Sequence, residues 1–120
     1  MLSSTLSNSV ANSSQVVLSA ARLADMLKIG MVELASLAGV SRATLSRKPT
    51  TPSADRALSP IARVLAMAAD MSGSPERAAL WFKHQPLPGW AGKTARDLIA
   101  EGRAQDVMDY LEAVRAGVHA

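Results

Sequence analysis

Residues 81–120 read WFKHQPLPGWAGKTARDLIAEGRAQDVMDYLEAVRAGVHA, and the punctuation in this stretch decides the fold. Pro86, Pro88, Gly89 and Gly92 crowd between two apolar-periodic runs, so Pro86 to Lys93 reads as an irregular elbow. Thr94 then offers a side-chain oxygen to cap a short helix with Leu98 and Ile99 inside, and Gly102 ends that helix. From about Ala104 to Ala116, Val107, Met108, Leu111 and Val114 recur at helical spacing, while Asp106, Asp109 and Glu112 fall on the side facing water. Before the elbow, Ala78, Trp81 and Phe82 point inward from a helix that opens at Ser74-Pro75. Proline at the first helical position loses no hydrogen bond there.

Composition agrees with a helical chain. Ala and Leu dominate a hydrophobic content of 48%, and aromatics supply only 3%, so the expected class is all-α. The length suits one compact domain, or two very small ones sharing a core. Residues 1–14 are rich in Ser and Asn and are expected to form a disordered arm, and Ser14 reads as an N-cap. Val17, Ala20, Ala21, Ala24 and Leu27 then mark a helix that Gly30 is expected to end. Ser59-Pro60 reads as the start of a further helix, with Ile61, Val64, Leu65, Ala68 and Met71 on one face and Ser72-Gly73 closing it. The expected division is an arm over 1–14, a DNA-binding region over 15–58 and a partner-binding domain over 59–120.

The absence of cysteine excludes disulfides, thiolate zinc sites and cysteine nucleophiles. No basic residue precedes Arg22, and no apolar run has secretory or membrane-spanning length, so a soluble cytoplasmic chain is expected. Charge is uneven along the chain. Residues 1–69 hold seven Lys/Arg against three Asp/Glu, whereas residues 70–120 hold six against seven. A basic front beside a near-neutral rear suits nucleic acid at one end and another partner at the other.

Residues 31–48, MVELASLAGVSRATLSRK, satisfy the steric demands of a helix-turn-helix. Ala35 is small enough for close helix approach, Gly39 tolerates positive φ in the turn, and Ser41 can cap the second helix. Leu34, Ala38, Val40 and Leu45 occupy positions that such a pair must bury. In that reading Ser41, Arg42, Thr44, Arg47 and Lys48 contact DNA, with the arginines suited to guanine and Lys48 to phosphate. A single copy binds DNA weakly, which calls for a homodimer or larger assembly. The same spacing also fits a plain αα-corner with a solvated basic face. The tract Lys48-Pro49-Thr50-Thr51-Pro52 stops the second helix near Lys48, early for such a motif.

The order Trp81-Phe82, Pro86, Gly89, Gly92, Thr94, Asp97-Leu98-Ile99, Gly102, Val107, Leu111, Gly117 resembles the toxin-binding domain of the Xre/MbcA/ParS family of type II antitoxins. The upstream tract stands in the Xre position, so the resemblance spans about Val16 to Ala120. One departure is Ala95, where the family commonly has proline. The resemblance implies an N-terminal helix-turn-helix packed with a helical toxin-binding domain, a RES-domain toxin that consumes NAD as partner, and repression of the shared operon through operator DNA. It further implies that Gly117, Val118, His119 and the Ala120 carboxylate enter or cover the toxin's cleft, with Leu111 and Arg115 on the supporting helix. A segment following glycine can enter a cleft that a helix cannot, and a carboxylate suits an anion pocket. Trp90, in its glycine-flanked elbow, is expected at a contact surface, and Trp81 in the core.

No catalytic, metal or cofactor constellation accompanies these features. His84 and His119 are far apart and lack a carboxylate motif, and Gly92-Lys93-Thr94 lacks the strand and first glycine of a phosphate loop. The alternative to an antitoxin is a free-standing transcriptional regulator whose rear half only dimerises.

Overall fold

The computed structural model describes residues 20–47 and 51–117. Its regular structure is helical apart from one isolated antiparallel bridge between Pro86 and Thr94. Residues 20–27 form α1, which buries Ala20, Leu23, Ala24 and Leu27 and leaves Ala21 exposed. Gly30 does not end this helix. Lys28 takes the left-handed position at φ 56°, and Gly30 stands at φ −80° as the N-cap of α2, Met31–Ala38. The expected arm, the Ser14 cap and Val17 lie outside the described residues.

Gly39, at φ 73°, closes α2, and its N–H bonds the Ser36 carbonyl at 3.2 Å. Ser41 then caps α3, Arg42–Ser46, by accepting from the Thr44 N–H at 3.1 Å. Leu34, Ala35, Leu37 and Leu45 are buried between and beneath the pair, while Ala38 and Val40 are partly covered. The second helix is shorter than expected, because Arg47 is already extended at φ −64°, ψ 141°. Pro49 has no N–H to offer the carbonyl four residues back, which removes the bond that would carry the helix on.

The principal correction concerns α4, Pro52–Ser72. It opens at Thr51-Pro52 rather than Ser59-Pro60, with Thr51 Oγ1 accepting from the Ala54 N–H at 3.2 Å. Pro60 therefore lies inside the helix, where proline costs roughly 3 kcal/mol. Burial offsets that loss. Ala54 and Leu58 are 0% and 1% exposed and extend the stripe of Ile61, Val64, Leu65 and Ala68 by two turns. Fully burying Leu58 alone is worth about 1.5–3 kcal/mol.

Gly73, at φ 87°, ends α4, and Ser74 caps α5, Pro75–His84, by accepting from the Arg77 N–H at 3.1 Å. The elbow leads to α6, Ala95–Ala100, and left-handed Gly102 precedes α7, Ala104–Arg115. Among the described residues one buried cluster draws side chains from each of the seven helices α1 to α7. Helix α4 is central, with α5 and α7 packed along it, while α6 reaches α2, α5 and α7. Front and rear are also tied across the surface. Arg96 of α6 meets Glu33 of α2 at 3.1 Å and donates to the Lys83 carbonyl, at the end of α5, at 3.5 Å. A half-exposed pair of this kind contributes at most about 1 kcal/mol, so its main effect is orientation.

Candidate functional site

The rear elbow is held from beneath. Leu87 is buried, and its N–H reaches the Lys93 carbonyl at 2.8 Å beside the Pro86–Thr94 bridge. Three of its residues are left-handed, Gly89, Ala91 and Gly92, with Ala91 carrying a β-carbon at φ 55°. That conformation costs roughly 1–2 kcal/mol in an L-residue. The fold tolerates it because the chain on either side is pinned.

The elbow then enters α6 through a capping box. Thr94 Oγ1 accepts from the Asp97 N–H at 3.2 Å, and Asp97 Oδ2 accepts from the Thr94 N–H at 3.0 Å. The backbone hydrogen bond from Thr94 is the chief reason the Asp97 carboxyl titrates below its ordinary value; partial desolvation opposes it, and the Thr94 hydroxyl, Arg96 and Lys93 assist. Because the folded state lowers this pKa, the resulting stability is full at neutral pH. It disappears as pH falls below the ordinary carboxylate value of 3.8. Thr94→Ala is expected to cost about 1–2 kcal/mol in urea unfolding at pH 7. The gap in stability between wild type and Asp97→Asn should narrow steadily below that pH; a gap independent of pH would contradict the ionised cap.

Trp90 is half-buried on the outer side of the elbow, with the Arg103 guanidinium 5.3 Å from its ring centroid. Charges around it satisfy one another. Lys93 meets Glu101 at 2.7 Å, and Arg103 meets Glu101 at 3.8 Å and Asp106 at 3.5 Å. Such a cation over an indole is worth about 0.5–1 kcal/mol at an exposed site, so Trp90 is clamped in place.

Of the residues expected on the supporting helix, Leu111 is only 4% exposed and belongs to the core, its remaining surface forming part of the floor of a groove. Arg115 and Gly117 are exposed at the end of α7. Gly117 turns left-handed at φ 74°, and its N–H bonds the Val114 carbonyl at 3.0 Å, so the chain leaves the helix direction there. Val118, His119 and Ala120 lie outside the described residues. The groove itself, about 180 Å³ between α4, α5 and α7, was not expected. Trp81, assigned to the core from sequence, is half-buried and lines this groove with Met71, Tyr110 and Val114. The available signal was Tyr110, an aromatic one position away from the apolar stripe of its helix.

At the front, Arg42 and Arg47 are exposed, and no carboxylate among the described residues pairs with either. Ser41 is exposed and Thr44 half-buried, with their hydroxyls 2.9 Å apart, so each is partly engaged in capping α3. Lys48 lies outside the described residues. His84 is exposed. Among the described residues no group of His, Asp and Glu could hold a metal ion, and no helix is long and apolar enough to cross a membrane.

This geometry offers surfaces for gripping: a clamped aromatic elbow, an apolar groove and a helix end that turns away. Residues 67–117 match the family model of the antitoxin Xre/MbcA/ParS C-terminal toxin-binding domain. No curated protein and no solved structure matches the chain.

Proposed function

We propose, from the premise that residues 67–117 of this chain belong to the antitoxin Xre/MbcA/ParS C-terminal toxin-binding domain family, that the chain neutralises a RES-type, NAD-consuming toxin by covering its active site. The family itself is that of a toxin-binding antitoxin domain, so the general role is antitoxin of a toxin–antitoxin system. The finer reading adds how it acts. The domain docks on the toxin, and residues 117–120 leave α7 to obstruct the cleft, with Arg115 beside them. The chain acts by occupying surfaces and carries out no reaction of its own. At the front, α2 and α3 carry the operator, with Arg42, Arg47 and Lys48 as its contacts, and assembly with the toxin supports repression of the shared operon.

The observation that carries this reading is the match over 67–117, a segment that closes where Gly117 turns the chain out of α7. The test is co-expression with the protein encoded beside it. That neighbour should arrest growth alone and be tolerated when this chain is present. A chain lacking residues 117–120 should still fold and still bind, yet release toxicity. Full protection by the truncated chain would refute the obstruction, and a harmless neighbour would refute the toxin assignment.

A further inference from the structure

We propose that the groove between α4, α5 and α7 is the anchor of the toxin interface, and that it receives one large apolar side chain of the toxin. This rests on the antitoxin reading above and specifies where the partner is gripped. Every residue lining the groove, from Ala68 to Val114, lies inside the segment matched as toxin-binding.

The lining is built for an apolar guest. Ala68 and Leu111 are buried and form the floor, while Met71, Trp81, Tyr110 and Val114 are half-covered and form the walls. Phe82, next to Trp81 on α5, is wholly buried, so the same helix supplies one aromatic to the core and one to the groove. Trp and Tyr are the residues that most often dominate binding energy, particularly where they line a pocket that excludes water. Methionine adds a wall that adapts to the shape of its guest.

Position favours the toxin as the guest. Val114 lies three residues before Gly117, about 4.5 Å along the helix axis from where the chain departs. A toxin side chain seated against Val114 would fix the partner within one helical turn of the segment proposed to obstruct it. Anchor and obstruction then share one register. The rival surface around Trp90 is less suited, since Arg103, Lys93, Glu101 and Asp106 there already pair among themselves. Among the described residues the two large hydrophobics most exposed to water are Val32 and Leu80, and neither lines this groove.

The experiment measures affinity of the full chain for a catalytically inactivated form of the neighbouring toxin by calorimetry. Circular dichroism and a thermal melt report the fold of each variant. Tyr110→Ala and Val114→Lys should each raise Kd about 30-fold or more. Tyr110→Phe, which keeps the ring, and Leu80→Ala, away from the groove, should bind as wild type. If Val114→Lys fails to fold, the contrast between Tyr110→Ala and Tyr110→Phe carries the test. Wild-type affinity in folded Tyr110→Ala and Val114→Lys overturns the groove and leaves the antitoxin reading standing. No binding by the wild-type chain removes that reading, and this inference with it. Unchanged toxin affinity combined with a shift from dimer to monomer in light scattering would make the groove a contact between two copies of this chain, and would overturn the proposal.

Discussion

Phe82→Ala is expected to remove about 3–5 kcal/mol of stability, the usual range for deleting a fully buried aromatic ring. Phe82 is 0% exposed and heads the largest wholly buried side chains. It lies on α5, which packs along the central α4 and also against α6. The aliphatic side chains of the same buried cluster cannot refill the space without leaving their own contacts. Domains of this size hold about 5–15 kcal/mol in total, so the loss takes a large fraction of the whole. At roughly 4–8 °C per kcal/mol, the melting temperature should fall by at least ~12 °C. Leu80→Ala, two residues away on the same helix but 58% exposed, should shift it little. A Phe82→Ala chain that melts with the wild type would mean that α5 does not pack as described. The variant should also lose toxin protection, since the wall formed by Trp81 depends on the position of α5.

The residues that sequence reading placed well are those whose signals are local. Gly39, Gly73 and Gly102 occupy left-handed turns, and Ser41, Ser74 and Thr94 accept from the N–H three residues on, so both ends of several helices were fixed by neighbours in the chain. The start of α4 was not fixed in this way. Thr51-Pro52 and Ser59-Pro60 present the same cap-plus-proline signal, and only packing chooses between them, because Leu58 and Ala54 must be buried for the first to win. Local rules forbid Pro60 inside a helix; the tertiary core overrides them. The reading of the candidate site divides along the same line. The elbow that carries Trp90 was legible from its prolines and glycines, whereas the groove joins residues from three helices and has no footprint in any one stretch. Leu111 was expected both in the apolar stripe of α7 and on the helix supporting the partner contact, and the stripe does bury it. Position within a stripe predicts burial more reliably than closeness to a presumed functional end.

Replacing Arg42 and Arg47 together with Ala is expected to abolish operator binding while leaving toxin neutralisation intact. The two should act through different contacts, because α3 ends sooner than its sequence suggests. Arg42 is the first residue of α3, whereas Arg47 follows its last turn on extended backbone. If α3 lies in the major groove, Arg42 is placed to meet a base edge, and Arg47 is diverted toward the flanking phosphates. Arg42→Ala alone should therefore cost about 1–3 kcal/mol against the preferred operator and blunt discrimination at one base pair. Arg47→Ala should weaken binding to all sequences alike and flatten the dependence of log K on log salt by about one unit. Mobility-shift titrations on operator and scrambled duplexes at several salt concentrations separate the two effects. Thermal stability should not change, since both side chains are exposed and neither meets a carboxylate among the described residues. The mutated surface is α3 and the residue that follows it, while the groove and the end of α7 belong to the rear segment. Equal loss of operator binding and neutralisation in the double variant would show that the two surfaces are energetically coupled. The path to examine would then be the Glu33–Arg96 bridge, which spans 63 positions in the chain and is the one ion pair among the described residues that joins α2 to α6.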